Sequence, residues 1–404
     1  MSGPDWLAAI FLWLPVDTAP FLVPALFVGL LTAWVMISPI AAILLSAGDE
    51  QSCLMIAPSQ ALVRAGHGLD AIQLVGVGSL IGLFLLATLL PLAAPFLATL
   101  HHALAPHLGW MLWCAVLFLA LGERPRSAPT ALSTWDHITY TMTPVLAGLT
   151  TLLFSGLLGL MLFYRSPIPL TSSIMNFIPA IMGLFTVPGL LMHVGAPIFP
   201  HHSDELRVNR VTTVPHNQEV HLFHAITCGT LSGMITALIP ALTGSMSALW
   251  TQYLVGPRNA RTHLVAQGIN RMLYYGAGLI LLFLPGAPRM RSSSAALLQT
   301  FYEPTPAQAW MMAAVITLSA LTAWFLLPVC AKSLLGMIAR HGTRPMALAA
   351  LFGILTFVGC TTSWPGLLIL LTATGIGMLP VLFQASSIQG MGVVLIPLAC
   401  ALTK

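Results

Sequence analysis

Residues 20–46 read PFLVPALFVGLLTAWVMISPIAAILLS and contain no charged side chain. A helix needs about 20 apolar residues to cross the hydrocarbon core of a bilayer, so this stretch predicts a membrane-spanning helix. Five more runs of this kind follow, each bounded by polar or Pro/Gly-rich residues. They occupy residues 74–100, 141–163, 174–194, 307–331 and 346–371. The sequence therefore predicts an all-α polytopic integral membrane protein.

The composition of the whole chain agrees with a lipid environment. Of 404 residues, 57% are hydrophobic and 6% are charged, with 15 Lys and Arg against 11 Asp and Glu. A soluble domain carries about a quarter of its residues as charges, so soluble enzymes and secreted domains are excluded. The positive charges are scattered, which argues against a nucleic-acid partner. The six cysteines have no metal-binding spacing, and no nucleotide or haem motif occurs. We expect no metal, no cofactor and no enzymatic activity.

Five further apolar segments are short or interrupted. The segment 223–254 has Ile239-Pro240-Ala241-Leu242-Thr243-Gly244-Ser245 at its centre, and 375–400 has Leu379-Pro380 followed by several Gln and Ser residues. Non-helical backbone at membrane depth is tolerated only where protein or water satisfies it. Segments 6–14, 109–121 and 273–285 have the length of half-helices. We therefore predict about nine to eleven transmembrane or re-entrant helices.

Two of the segments between these runs, 255–272 and 332–345, together hold six positive charges and no negative one. By the positive-inside rule we predict that both are cytoplasmic loops. The chain starts without the positive segment of a signal peptide, so we expect the N-terminus to be retained.

A weak internal repeat is suggested by two pairs of short matches. Leu14-Pro15-Val16-Asp17-Thr18 corresponds to residues 239–243, and Leu89-Leu90-Pro91-Leu92 corresponds to Leu326-Leu327-Pro328-Val329. Secondary transporters often contain such repeats, with substrate sites where their discontinuous helices meet. The predicted division is a first membrane repeat over 1–195, a polar His-rich loop over 196–222 and a second membrane repeat over 223–404.

Several stretches, in order along the chain, resemble the archaeal-type branch of the tripartite tricarboxylate transporter permeases (TctA-like proteins). The first comprises Gly48-Asp49-Glu50, then Ala57-Pro58-Ser59-Gln60 through His67-Gly68-Leu69-Asp70, and Gly76-Val77-Gly78. The later ones are Asn176–Phe185, 238–247, Arg291-Ser292-Ser293-Ser294-Ala295 and 375–397. The resemblance implies a multi-pass transporter in the plasma (inner) membrane of a prokaryote. It also implies a stand-alone protein that needs neither a solute-binding partner nor a small membrane subunit.

The chain departs from the family pattern at three places. The family has Pro-Gly where this chain has Pro15-Val16 and Pro240-Ala241, and a Cβ restricts the positive φ that glycine allows. It has an Arg-Ser-His cluster where this chain reads Ser386-Ser387-Ile388-Gln389. We therefore expect a diverged member with a different or reduced activity.

Candidate binding residues lie mainly at the interrupted segments. Unwound backbone after Pro240 would aim hydroxyls and N–H groups at an anion through the positive end of a half-helix; a Pro-kinked helix with Ser and Thr bonded to their own turn is the alternative. The candidates here are Thr243, Gly244, Ser245 and Ser247. Asp17 and Thr18 hold the corresponding position in the first half, where Asp17 is either an intramembrane functional carboxylate or a helix N-cap.

Four more candidates come from other apolar segments. Asn176 begins a span and fits N-capping or helix contacts as well as substrate binding. Arg291 suits an anionic headgroup or substrate, or an interfacial anchor. Gln384 and Ser387, with Ser386 and Gln389, predict either a lined cavity or helix packing.

Two other polar groups have simpler explanations. The histidines that crowd one loop follow no metal-ligand spacing and are expected to be solvated: His201, His202, His216, His221 and His224. The acidic pair Asp49-Glu50 suits cation recognition, but the end of a loop is also a cheap place for charges.

Three functions fit this sequence. The first is a secondary transporter of an organic carboxylate or similar small anion, working by alternating access and coupled to Na⁺ or H⁺. The second is a translocase for an anionic lipid carrier such as a polyprenyl phosphate. The third is a non-transporting membrane scaffold or assembly protein. The expected partners are a small anionic solute or lipid-linked anion and the membrane lipids, and the chain is compatible with a homo-oligomer.

Overall fold

A computed structural model describes residues 22–93, 96, 99, 103–123, 134–165, 177–195, 219–238, 242–256, 259–283 and 308–403. Every regular element in these ranges is a helix. Six helices are long and apolar enough to cross a membrane: Pro24–Leu45, Gly68–Ala93, Tyr140–Tyr164, Phe177–Gly195, Ala309–His341 and Thr343–Leu382. They coincide with the six predicted spans. The predicted all-α polytopic membrane fold is confirmed.

The helices are numbered in chain order. They are α1 (Leu22–Ile37), α2 (Pro39–Leu45), α3 (Cys53–Arg64), α4 (Gly68–Ala93), α5 (Leu108–Gly122), α6 (Thr134–Tyr164), α7 (Phe177–Gly195), α8 (Leu222–Leu238), α9 (Gly244–Val255), α10 (Ala260–Ile280), α11 (Ala309–His341), α12 (Thr343–Leu382) and α13 (Gly392–Leu402). Short 3-10 turns cover Ala105–His107, Leu281–Phe283 and Ser387–Met391.

The chain divides into two compact units, each made of two separate stretches. Unit 1 combines Met1–Leu108 with Val211–Gly342, and unit 2 combines Gly109–Arg210 with Thr343–Lys404. These units describe packing, whereas the predicted repeats describe sequence similarity. The division into repeats over 1–195 and 223–404 therefore stays a prediction.

The centre of unit 1 is α10, in which every residue from Thr262 to Leu279 is buried. A helix that is buried on all sides packs closely against its neighbours, and glycines at the contacts allow the backbones to approach. A Cβ at Gly268 would collide with the backbone of α4, and one at Gly78 would collide with that of α10. On the α8 side, a Cβ at Gly229 would stand 2.6 Å from the carbonyl oxygen of Ala266. The backbones of α4 and α8 therefore both pack directly against α10.

The two segments predicted as charged cytoplasmic loops are mostly helical, and the side of the membrane that they face stays a prediction. Residues 260–272 form the first part of α10, and Arg271 is fully buried. Residues 332–341 are the end of α11, and only Gly342, with φ 81°, separates α11 from α12. Segment 273–285 is likewise not a half-helix, because its first residues complete α10. The polar residues of α10 lower its average hydropathy although the helix is buried.

Unit 2 is built around α6, α7, α12 and α13. Within α7, Met182–Thr186 form a π-helical segment, and a Cβ at Gly183 would stand 2.7 Å from the carbonyl oxygen of Leu370 on α12. In α12, Ser363 has φ 56° and ψ −158° ahead of Pro365, so the helix is bent there. The predicted break in segment 375–400 is present. It lies after Leu382 rather than at Pro380, which remains helical.

Candidate functional site

In unit 1 the chain turns back between α2 and α3 through a buried loop, residues 46–52, which we call the first tip. Ser46 ends α2 with φ 52°. The Gln60 amide on α3 donates to the Ile43 carbonyl on α2 (2.7 Å), so the two short helices run back along each other. Glu50, Gln51 and Ser52 are each at most 2% exposed. The acidic pair Asp49-Glu50 is therefore not at a solvated loop end.

Asp49 and Ser52 hold the first tip in shape by reciprocal hydrogen bonds. The Asp49 N–H donates to Ser52 Oγ (2.9 Å), and the Ser52 N–H donates to Asp49 Oδ1 (2.7 Å). The Ser52 hydroxyl also contacts Asp49 Oδ1. Such bonds satisfy N–H groups that the start of a helix leaves without an intrahelical partner. They fix the N-terminus of α3 directly after the first tip.

A second break separates α8 from α9, and residues 242–247 are the second tip. Ser232 Oγ lies 2.5 Å from Thr251 Oγ1, and Ser247 Oγ lies 3.3 Å from the Ser232 carbonyl oxygen. These contacts make α8 and α9 an antiparallel hairpin. Thr243 precedes α9 in an extended conformation, and its hydroxyl lies 2.7 Å from Ser245 Oγ. The predicted interruption after Pro240 is therefore a real end and restart of helix.

The two tips meet at the middle of α10. Arg271 donates to both oxygens of Asp49 (3.2 and 2.8 Å) and to Ser38 Oγ (2.7 Å). Its guanidinium lies 4.7 Å from the ring centre of Trp34. One residue earlier, Asn270 Oδ1 accepts a hydrogen bond from Ser247 Oγ of the second tip.

The approach of the tips to each other is visible at Gly244. A Cβ there would stand 3.4 Å from Cδ of Gln51 and 3.0 Å from the ring of Tyr274. The Tyr274 hydroxyl in turn donates to the Leu242 carbonyl (3.4 Å). The glycine at this position therefore lets the second tip pack closely against Gln51 of the first tip and Tyr274 of α10.

Several buried polar atoms at this junction have no hydrogen-bond partner among the described residues. They are Nε2 and Oε1 of Gln51, Nδ2 of Asn270, Nε of Arg271, the Tyr275 hydroxyl and Oε1 of Gln267. Buried polar groups in folded proteins are nearly always hydrogen-bonded, so such a group calls for a ligand or an ordered water. Two helix N-termini, those of α3 and α9, begin at the same place, and their N–H groups favour negative charge. The junction therefore offers buried polar groups to a small ligand, beside the buried carboxyl group of Glu50 and the guanidinium of Arg271.

The sequence candidates fall in three groups. Thr243, Gly244, Ser245 and Ser247 are all buried at the second tip of unit 1. Gln384, with φ 57°, and Ser387 lie at the break of unit 2. The remaining candidates lie outside the described residues: Asp17, Thr18, Asn176 and Arg291. Of the histidines, His221 and His224 are exposed, and 201–216 also lie outside the described ranges.

Sequence reasoning missed Arg271, Gln51 and Asn270. Arg271 and Asn270 were assigned to a predicted loop. Gln51 follows the acidic pair Asp49-Glu50, which was expected to be exposed to solvent at the end of a loop. The polar face of Gln267, Asn270, Arg271 and Tyr274, spaced three and four residues apart, was an available helical signal.

Comparison with known proteins gives one family. The model of the tripartite tricarboxylate transporter TctA family matches residues 2–392. No curated protein and no solved structure matches the chain.

Proposed function

Because the chain belongs to the tripartite tricarboxylate transporter TctA family, we propose that it is a secondary transporter of an organic carboxylate or a similar small anion. In this proposal transport works by alternating access and is coupled to an ion gradient. Six helices of membrane-spanning length and composition support a multi-pass location. We place the protein in the plasma membrane of a prokaryote.

The observation that carries the proposed site is the group of partnerless polar atoms between the two tips. Gln51 is fully buried, yet both polar atoms of its amide lack a partner among the described residues. An unsatisfied buried amide costs about 1–3 kcal/mol. A carboxylate would accept hydrogen bonds from the Gln51 and Asn270 amides and from one hydroxyl of the Thr243–Ser245 pair, since the other hydroxyl donates within the pair. The N-termini of α3 and α9 would stabilise its charge.

Arg271 has a different role in this proposal. Its charge is matched by Asp49, and its side chain is fully enclosed. We assign it as a positioning residue that holds the first tip against α10. The solute is then recognised by neutral donors and helix ends, as is common for carriers with discontinuous helices.

The family name describes three-part systems, in which a solute-binding protein and a small permease accompany this subunit. We propose that this chain binds and moves its solute without them, as expected for a stand-alone branch. A test on the purified chain alone addresses this point directly.

The test is uptake into proteoliposomes of radiolabelled di- and tricarboxylates, with and without Na⁺ or pH gradients. We expect gradient-dependent accumulation of at least one of them. Gln51→Leu should lower kcat/KM for that solute by about 10- to 100-fold, which corresponds to the loss of one buried hydrogen bond to a charge.

The matched control is Gln73→Leu, the same change at an exposed position of α4, and it should behave like the wild type. If folded wild-type protein accumulates no carboxylate under any gradient, the transport proposal is wrong. If Gln51→Leu transports normally, the site lies elsewhere.

A further inference from the structure

A carboxyl group in unit 2 lies beside an apolar helix that is long enough to cross a membrane. Helix α5 has 15 residues, about 22 Å of helix, which is too short for a core of about 30 Å. Glu123 follows its last residue, and Glu123 Oε2 stands 3.2 Å from where a Cβ on Gly148 would be. Gly148 is roughly 12 Å along the apolar span Tyr140–Tyr164. Ionisable residues at this depth are costly and usually functional.

The break before α13 supplies two donors to Glu123. The Ser386 N–H donates to the two carboxylate oxygens (3.0 and 3.2 Å). The Gln389 amide nitrogen donates to Oε2 of Glu123 (3.4 Å) and to the Leu119 carbonyl on α5 (2.8 Å). These bonds tie the turn Ser387–Met391 to the end of α5.

Gln389 also offers an unused acceptor. The residue is 1% exposed, and its Oε1 has no hydrogen-bond partner among the described residues. Its backbone is held in place, since Ser155 Oγ donates to the Gln389 carbonyl (3.2 Å). A buried amide with one end bonded to a carboxylate and the other end empty can serve either protonation state of that carboxyl group.

We propose that Glu123 binds and releases the proton that drives transport, an inference that rests on the proposed function. The Glu123 carboxylate takes up H⁺ from water and becomes a carboxylic acid, with a new O–H bond and no other bond broken. Rotation of the Gln389 amide then presents Oε1 as acceptor for that O–H, and Ser386 N–H keeps the remaining carbonyl oxygen. The same rotation removes Gln389 Nε2 from the Leu119 carbonyl, so protonation loosens the turn from α5.

The chemistry of the donors favours a proton over Na⁺. Ser386 and Gln389 direct N–H groups at the carboxylate, and a metal cation needs oxygen ligands instead. The residues that supply the contacts above, Leu119, Gly148, Ser386 and Gln389, have no titratable side chain. Titratable or charged residues on the elements that pack around this turn, or next to Glu123 in the chain, are Cys114 on α5, Arg124 and Arg126 after Glu123, Asp136, His137, Tyr140 and Tyr164 on α6, His193 on α7, Arg344 and Cys360 on α12 and Cys400 on α13, so the test varies Glu123 itself.

The first test needs no solute. Infrared difference spectra of the full chain in proteoliposomes, taken at high minus low pH, should contain a carboxylic-acid band that is absent from Glu123→Gln. Gln389→Leu should shift this band, because the O–H loses its acceptor. Asp70→Asn, at a half-exposed carboxylate paired with His67, should leave it unchanged. An identical titrating band in Glu123→Gln overturns the proposal.

The second test uses radiolabelled citrate and malate. We expect the ratio of pH-driven accumulation to solute exchange to be at least tenfold lower in Glu123→Gln than in the wild type. Glu123→Asp keeps a carboxyl group and should recover part of the pH-driven accumulation. This variant also tests the proposal if Glu123→Gln does not fold. Undiminished pH-driven accumulation in Glu123→Gln overturns the proposal. If wild-type protein moves neither solute, the proposed function fails for them, and the infrared result still decides whether Glu123 titrates.

Discussion

The ion pair between Asp49 and Arg271 should dominate the stability of unit 1. Arg271→Met leaves the Asp49 carboxylate, 12% exposed, with Ser52 as its remaining donor in the contacts described above. Asp49→Asn leaves the guanidinium buried with Ser38 and the Trp34 ring. Removing one partner of a buried pair costs about 3–5 kcal/mol, so we expect each single variant to lose that much free energy of unfolding.

The double variant Asp49→Asn/Arg271→Met separates the interaction energy of the ion pair from the other effects of each substitution. It buries neither of the two charges, so it should be no less stable than the worse single variant, which implies a coupling energy of at least about 3 kcal/mol. The assay is unfolding by SDS in mixed micelles, followed by tryptophan fluorescence. Asp70→Asn, which removes an exposed pair, should cost about 0–1 kcal/mol. Additive single effects, within about 0.5 kcal/mol, would refute this reasoning.

Three further substitutions test other contacts. Gly268→Ala should destabilise the protein by about 1–3 kcal/mol, because its Cβ collides with α4. The control Gly353→Ala places its Cβ where no atom lies within 4 Å, so it should not destabilise the protein. The same SDS unfolding titration compares the two variants. Ser363→Gly should stabilise by about 1 kcal/mol in that assay, because φ 56° with ψ −158° is a conformation that suits glycine; a lower stability would argue against strain there. Gly244→Ala should raise KM for the transported carboxylate about tenfold in uptake assays, since the new Cβ enters the space beside Tyr274 and Gln51; an unchanged KM would place the solute elsewhere.

The six spanning helices could be predicted because each is a long run with few or no charges. The break near Pro240 could be predicted because proline removes a backbone donor and the following Thr and Ser suit a helix start. Helix α10 could not be predicted in this way. It carries Gln267, Asn270 and Arg271, so its average hydropathy resembles that of a loop, and its burial depends on partners far away in sequence.

The ion pair of Arg271 shows why such a contact could not be predicted from the sequence. Arg271 and Asp49 are 222 positions apart, and neither residue's neighbours indicate the other. A positive charge in an apolar chain is usually evidence of a cytoplasmic loop, but that rule assumes that the charge is solvated. Here a carboxylate, a hydroxyl and an aromatic ring replace the water. Only the three-dimensional packing shows that these groups take the place of water around Arg271.

Each unit contains a helix break whose geometry depends on one carboxyl group, but the donors differ in charge. At the first tip of unit 1, Asp49 receives two hydrogen bonds from a guanidinium, which is always protonated. That partner strongly favours the ionised carboxylate, so Asp49 is suited to hold a fixed structure. In unit 2 the donors to Glu123 described here are a backbone N–H and an amide. The free Oε1 of Gln389 gives the acid form of Glu123 a hydrogen-bond acceptor, whereas a guanidinium has only donors and offers none to an acid form of Asp49. The same local device therefore suits positioning in unit 1 and proton exchange in unit 2.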